Sequence, residues 1–222
     1  MARTRSLAPA ALAVAAALAA AAAAAAPPTK PLSSLGRLRP APPPGELGPE
    51  LVPVPDAPAL APAASKATPS SGVGGIRCER NERLAFHVHA HVAVFVNGRP
   101  RALPAGIGVW PALPEAVVRT GTFGLTPEAC LSWLTTHFAD GIVHVEAPVR
   151  RAFVLGELFD VWGQPLSRTR VGPARGPVVA IVNGGVWTGD PRRIPLASHA
   201  QIQLEVGRPL VAYQPVEFPG TY

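Results

Sequence analysis

Sulfur is scarce in this chain: two cysteines and a single methionine, Met1, among 222 residues. A zinc ribbon built on paired Cys-x-x-Cys motifs is excluded, and copper(I) handling through thiolate or thioether ligands has no residues to use. Aromatics make up only 6% of the chain, and all four tryptophans fall after residue 100. The segment able to build a core is therefore the last two thirds. A Gly-x-Ser-x-Gly elbow, a phosphate loop and a dinucleotide fingerprint are all missing, which removes the familiar hydrolase and nucleotide-binding readings.

Acidic residues are also few, 14 against 20 basic ones, for a net charge of +6 and a pI near 10.3. From Ile76 onward, however, fourteen arginines face eleven acids, leaving about +3. These arginines are scattered as singles and pairs, such as Arg150 with Arg151 and Arg192 with Arg193. Nucleic-acid binders concentrate charge on one face and add stacking aromatics, so no nucleic-acid partner is expected.

What is abundant comes first in alanine. MARTRS followed by LAPAALAVAAALAAAAAAAA reads as a targeting segment over residues 1–26, either a cleaved signal peptide or a retained N-terminal anchor that would tether the chain to a membrane. The expected location is extracytoplasmic: periplasmic, cell-envelope or secreted. No cysteine follows the apolar run closely, which argues against lipid attachment there. Residues 27–75 are dominated by proline, alanine, serine and glycine and read as a disordered or semi-rigid linker. In an oxidising compartment Cys78 and Cys130 are expected to pair; the alternative is two buried thiols.

From Ile76 to Tyr222 the pattern becomes alternating apolar runs broken by turn signals, predicting a β-rich globular domain of the α+β class, mainly antiparallel hairpins with one or two short helices. LAFHVHAHVAVFV, Asn97-Gly98 and RPRALPAGIGV predict a hairpin with a type I′ turn. GIVHVE with RAFVLG predicts a second, PVVAIVNGGVWTGD a third, and AQIQLEV a further strand. The helices are expected over TPEACLSWLTTH, with Thr126 as N-cap and Pro127 at the first helical position, and over LGELFDVWG.

Three of the six histidines alternate in FHVHAHVAVFV. On a strand, Phe86, Val88, Ala90, Val92, Val94 and Val96 form an apolar face, and His87, His89, His91, Ala93 and Phe95 form the other. That second face is either exposed or covered by another layer. His137, His144 and Glu146 in LTTHFADGIVHVE complete a ligand set suited to zinc or copper(II). Neighbours at i and i+2 lie roughly 6.5–7 Å apart, whereas His87 and His91 are about 13 Å apart. One site would therefore use His87 with His89, or His89 with His91, and a third ligand from His137, His144 or Glu146. His89 and His144 rings within about 4–5 Å of each other would favour a metal site, and histidines spread over an open sheet would favour the alternative. The alternative is a non-catalytic structural or protein-interaction domain tethered by the proline/alanine linker, with the histidines in structural, hydrogen-bonding roles. No catalytic residue is assigned; were a metal-dependent hydrolase present, Glu146 or Asp140 would be the base. GDPRRIPLASH carries Asp190, Arg192, Arg193 and His199, a set that suits an anion but reads more simply as a loop before an edge strand.

FHVHAHVAVFVNG, CLSWLTTHFADGIVHVE, LGELFDVWGQPLS and IPLASHAQIQLEVG, across most of residues 76–215, resemble a family of uncharacterised bacterial extracytoplasmic proteins. The resemblance implies a shared fold in which the Phe86–His91 and His144–Glu146 strands adjoin, and it implies no substrate. The family's helix end reads Leu-His-Thr-His; here its first histidine is replaced by Thr135, and His137 is kept.

Overall fold

The computed structural model describes residues 27–112 and 128–220. The proposed signal segment and the expected helix start at Thr126 and Pro127 lie outside these residues. In chain order the strands are β1 (Thr29–Pro31), β2 (Cys78–Glu79), β3 (Phe86–Val96), β4 (Arg99–Arg101), β5 (Val109–Trp110), β6 (Cys130–Ser132) and β7 (Leu134–Thr135). Then follow β8 (Ile142–Ala147), the helix α1 (Leu155–Trp162), β9 (Leu166–Ser167), β10 (Arg170–Val171), β11 (Ala174–Arg175), β12 (Val178–Val182), β13 (Gly185–Trp187) and β14 (Ala200–Val206). An eight-stranded sheet runs β1-β13-β12-β14-β3-β8-β7, with β4 also on β3. Two three-stranded ribbons, β11-β10-β9 and β2-β6-β5, flank it. The fold is α+β and mainly antiparallel, with a single α-helix among the described residues.

Local chemistry explains the elements that hold the site. Asn97 and Gly98 have φ of 52° and 72°, the left-handed pair of a type I′ turn, and they set the register Val96↔Arg99. Asn183 and Gly184 repeat the device between β12 and β13. Ala90, Val92 and Val94 on β3, Val143 and Val145 on β8, and Ile202 and Leu204 on β14 form one apolar wall of the sheet. Leu155, Leu158, Phe159 and Trp162, all buried, press α1 into the same core. The Glu157 carboxylate accepts the Val154 N–H at 2.9 Å to start that helix, and Gly163, at φ 75°, ends it.

Four expectations are corrected. First, residues 27–75 lie against the domain instead of trailing from it. Thr29–Pro31 pairs with β13, and the Leu60 N–H donates to the Ala102 carbonyl at 2.9 Å. The Trp162 indole N–H donates to the Pro62 carbonyl at 2.8 Å, and Val52, Leu60 and Ala67 are buried. Proline restricts the unfolded chain, so an extended segment loses less entropy on docking, and its interspersed apolar side chains supply the contact area. Second, residues 130–132 and 134–135 of the expected helix TPEACLSWLTTH form β6 and β7. Strand partners on both sides of β6 and the pairing of β7 with β8 override a helical start signal. Third, β8 pairs with β3 and β7 rather than with RAFVLG; past β8 the chain leaves the sheet, where the Arg151 guanidinium stacks 3.9 Å from the Phe153 ring centroid. Fourth, AQIQLEV is central, parallel to β3 and antiparallel to β12, because its Ala200, Ile202, Leu204 and Val206 face is buried.

Cys78 and Cys130 form a disulfide, with Cα atoms 5.3 Å apart, closing a loop across 52 positions. Removing it with Cys78→Ser and Cys130→Ser is expected to cost about 2–4 kcal/mol, or roughly 4–16 °C in Tm; an unchanged calorimetric melt would contradict this. On the face opposite the core, Gln203 Nε2 donates to Glu205 Oε1 at 2.7 Å, and the buried Glu205 carboxyl is raised by that burial from 4.5 to about 7. A raised acid favours the folded state fully below pH 4.5, and the benefit is lost as pH climbs through 7. Glu205→Gln should therefore stabilise little at pH 4 and by roughly 3 kcal/mol at pH 8, measured by urea unfolding at both values.

Candidate metal centre

The histidine face of β3 is covered by a second layer drawn from residues 42–56 and 214–217, with a cavity of about 740 Å³ between that layer and Ala93, Phe95 and Arg101. Beside this cavity β3 and β8 pair so that His89 stands opposite His144 and His87 opposite Glu146. Alternation puts all four side chains on one side, and the antiparallel register turns two sequence-remote pairs into one square.

The His89 and His144 rings meet edge to face with centroids 4.6 Å apart, and His87 and His89 at 4.5 Å. His87 Nε2 and His89 Nε2 are 3.0 Å apart. Glu146 Oε1 lies 3.4 Å from His87 Nε2 and 3.9 Å from His144 Nδ1. His137 follows β7 and stacks on His144 with centroids 3.7 Å apart. Of the anticipated ligands, only His91 is turned elsewhere: its Nε2 donates to the Asp140 carbonyl at 3.0 Å. Gly141 allows this approach, since a Cβ there would stand 2.6 Å from the Val92 carbonyl oxygen and 2.9 Å from His91 Nε2.

Glu50 is the residue that sequence reasoning missed. It comes from the proline-rich segment, and its Oε1 lies 2.9 Å from His144 Nε2 and 3.6 Å from His137 Nδ1. A tight turn drives it inward: the Gly48 N–H donates to the Val52 carbonyl and the Leu51 N–H to the Gly48 carbonyl, with Leu51 exposed at φ 58°. Leucine rarely takes the left-handed region, at a cost of order 1–3 kcal/mol that the surrounding contacts must offset. The available clue was composition: GELGPELVPV sets acids among leucines and valines, a pattern that a solvated tether does not need. Glu82 was missed too, being one acid within the charged run ERNER.

Burial and crowding set the protonation states. Burial, then the nearby His144 and His87, push His89 down to about 3, and burial likewise lowers His144. Burial pulls Glu50 upward, but hydrogen bonds with His137 and His144 outweigh it and hold the carboxylate well below its usual range. Glu50 is therefore an acceptor, and neutral His144 donates its Nε2–H to it. The lone pair of His144 then sits on Nδ1, toward Glu146. Burial and the charge of Glu82 raise Glu146 to about 7. Asp140 is raised to about 7 by burial and by Glu50.

Three sets of side chains bring possible ligand atoms within 4.8 Å of one another: His87 with His89 and His144, Glu50 with His137 and His144, and Glu82 with His137 and Glu146. The buried His/Glu cluster thus has the spacing to hold a metal ion. No family model, curated protein or solved structure matches the chain. Its chemistry is accordingly read from the cluster itself.

The anion-suited set in GDPRRIPLASH falls outside it. Asp190 accepts the Arg192 N–H, Arg192 pairs with Asp160 at 2.6 Å, and His199 stacks on Phe218. These contacts engage Asp190, Arg192 and His199 within the fold itself, as the loop reading expects. Thr135 stands directly across from His144, fully buried, and its hydroxyl has no hydrogen-bond partner; the position where the resembled motif carries a histidine therefore abuts the cluster.

Glu50→Ala would strip the His144 Nε2–H of its buried acceptor. The expected cost is about 1–3 kcal/mol in urea unfolding of the metal-free protein, with faster amide exchange across residues 46–54. Unaltered exchange there would show that Glu50 does not pin the segment.

Proposed function

We propose that this protein is an exported metal-binding domain in which His87, His89 and His144 hold a divalent transition metal, zinc or copper(II). The observation that carries the reading is the convergence of three imidazoles from two paired strands, with ligand atoms within 4.8 Å of one another. Two of the three, His89 and His144, are held neutral by burial, the state that leaves a lone pair for coordination. Imidazole ligands suit both zinc and copper(II). Glu50 supports the reading as the carboxylate that accepts the second ring N–H of His144, since ligating histidines ordinarily donate that proton to an oxygen that orients the ring. Three protein ligands leave a fourth coordination position at the histidine site.

Export is the part of the proposal supported by other features. A disulfide fits an oxidising environment, and the alanine-rich N-terminus fits export. Among the described residues no helix is long and apolar enough to cross a membrane. The resemblance to bacterial extracytoplasmic proteins supports the same placement.

His89→Ala should abolish metal uptake, lowering zinc or copper affinity by at least about 100-fold, while the metal-free variant melts within a few degrees of the unsubstituted protein. The apolar face of β3 that builds the core is untouched by the change, which is why little stability is lost. Elemental analysis and calorimetric titration of protein purified without a histidine tag provide the check. Absence of stoichiometric zinc, copper or iron after equilibration would overturn the reading, and collapse of the metal-free variant would mark His89 as structural.

A further inference from the structure

Glu146 has more to do than one site requires. Its Oε1 faces His87 and His144. Its Oε2 is buried without a hydrogen-bond partner, on a side chain only 4% exposed. On the solvent side of the cluster, Glu82, His137 and Glu146 bring three ligand atoms within 4.8 Å of one another, and this set shares no residue with His87, His89 and His144. Two carboxylates brought this close repel, and burial strengthens the repulsion. Among the described residues neither Glu82 nor Glu146 forms an ion pair with a lysine or arginine.

We propose that the cluster holds two divalent ions: one on His87, His89 and His144, and a second on Glu82, His137 and Glu146, with the Glu146 carboxylate bridging them through its two oxygens. The second ion supplies the positive charge that the paired carboxylates otherwise lack and gives Glu146 Oε2 a partner. Its ligands are two carboxylates and one imidazole, harder than three imidazoles, and Glu82 is exposed. The outer ion is therefore the more weakly held and the faster to exchange. This inference rests on the three-histidine reading above and adds a site to it.

Zinc alone is the probe. Untagged protein is stripped with a chelator, desalted and titrated calorimetrically, and bound zinc is counted by mass spectrometry of the elements. Two equivalents per chain are expected, the first at least about tenfold tighter than the second. Glu82→Gln, at an exposed position outside the core, should bind one equivalent with the affinity of the first step unchanged. One equivalent in the unsubstituted protein would sink the second site and leave the histidine site standing, whereas none would sink both. Two equivalents in Glu82→Gln would place the second ion elsewhere, and none would show that the two groups are not separate sites; either result overturns the proposal.

Discussion

The antiparallel pairing of β3 with β8 is the constraint on which the rest of the molecule depends. Its register, His89↔His144 and His87↔Glu146, aligns four polar side chains on one face while Ala90, Val143 and Val145 enter the core on the other. A slip of one residue would reverse both faces together, putting imidazoles against α1 and valines against the proline-rich layer. Core packing therefore enforces the geometry of the site. The hydrophobic face holds the register, and the register holds the cluster.

The polar face would be exposed without its cover. Residues 42–56 supply that cover together with the C-terminal segment, and the Gln214 side chain donates to the Pro42 carbonyl at 3.0 Å to join them. A bridge between Arg39 and Val211 continues the same contact. The result is a low-dielectric setting around the buried His89 and His144 rings, with His87 and Glu82 at its exposed edge. Burial that disfavours charged histidine also favours its role as a ligand, because coordination uses the unprotonated nitrogen. The same burial makes unpaired carboxylates costly, which is the electrostatic reason for expecting cations here.

Much of this was legible in the residues. Strict alternation in FHVHAHVAVFV revealed both faces of β3, two Asn-Gly turns marked their hairpins, and the leucine and aromatic spacing in LGELFDVWG marked α1. His87, His89, His144 and Glu146 were nominated from residue type and spacing and are found together. The failures share a cause. TPEACLSWLTTH carries a sound helix start, yet its residues 130–132 and 134–135 find strand partners; a local signal lost to non-local hydrogen bonding. His91 obeys the alternation but is drawn to the Asp140 carbonyl by a turn that local pattern does not display.

Composition and periodicity by themselves determined which residues have a polar face and an apolar face, where turns of positive φ fall, and which ligand chemistry the histidines can offer. Those are properties of a short stretch of backbone and its side chains, readable wherever the period is clean. Tertiary structure alone decided that β14 lies between β12 and β3, parallel only to β3, that the proline-rich stretch covers the histidine face, and that Glu50 reaches His144 from 94 positions away. Such contacts arise from how separate faces minimise exposed apolar area and satisfy buried donors. Residues far apart in the chain bear no local mark of the partner they will meet.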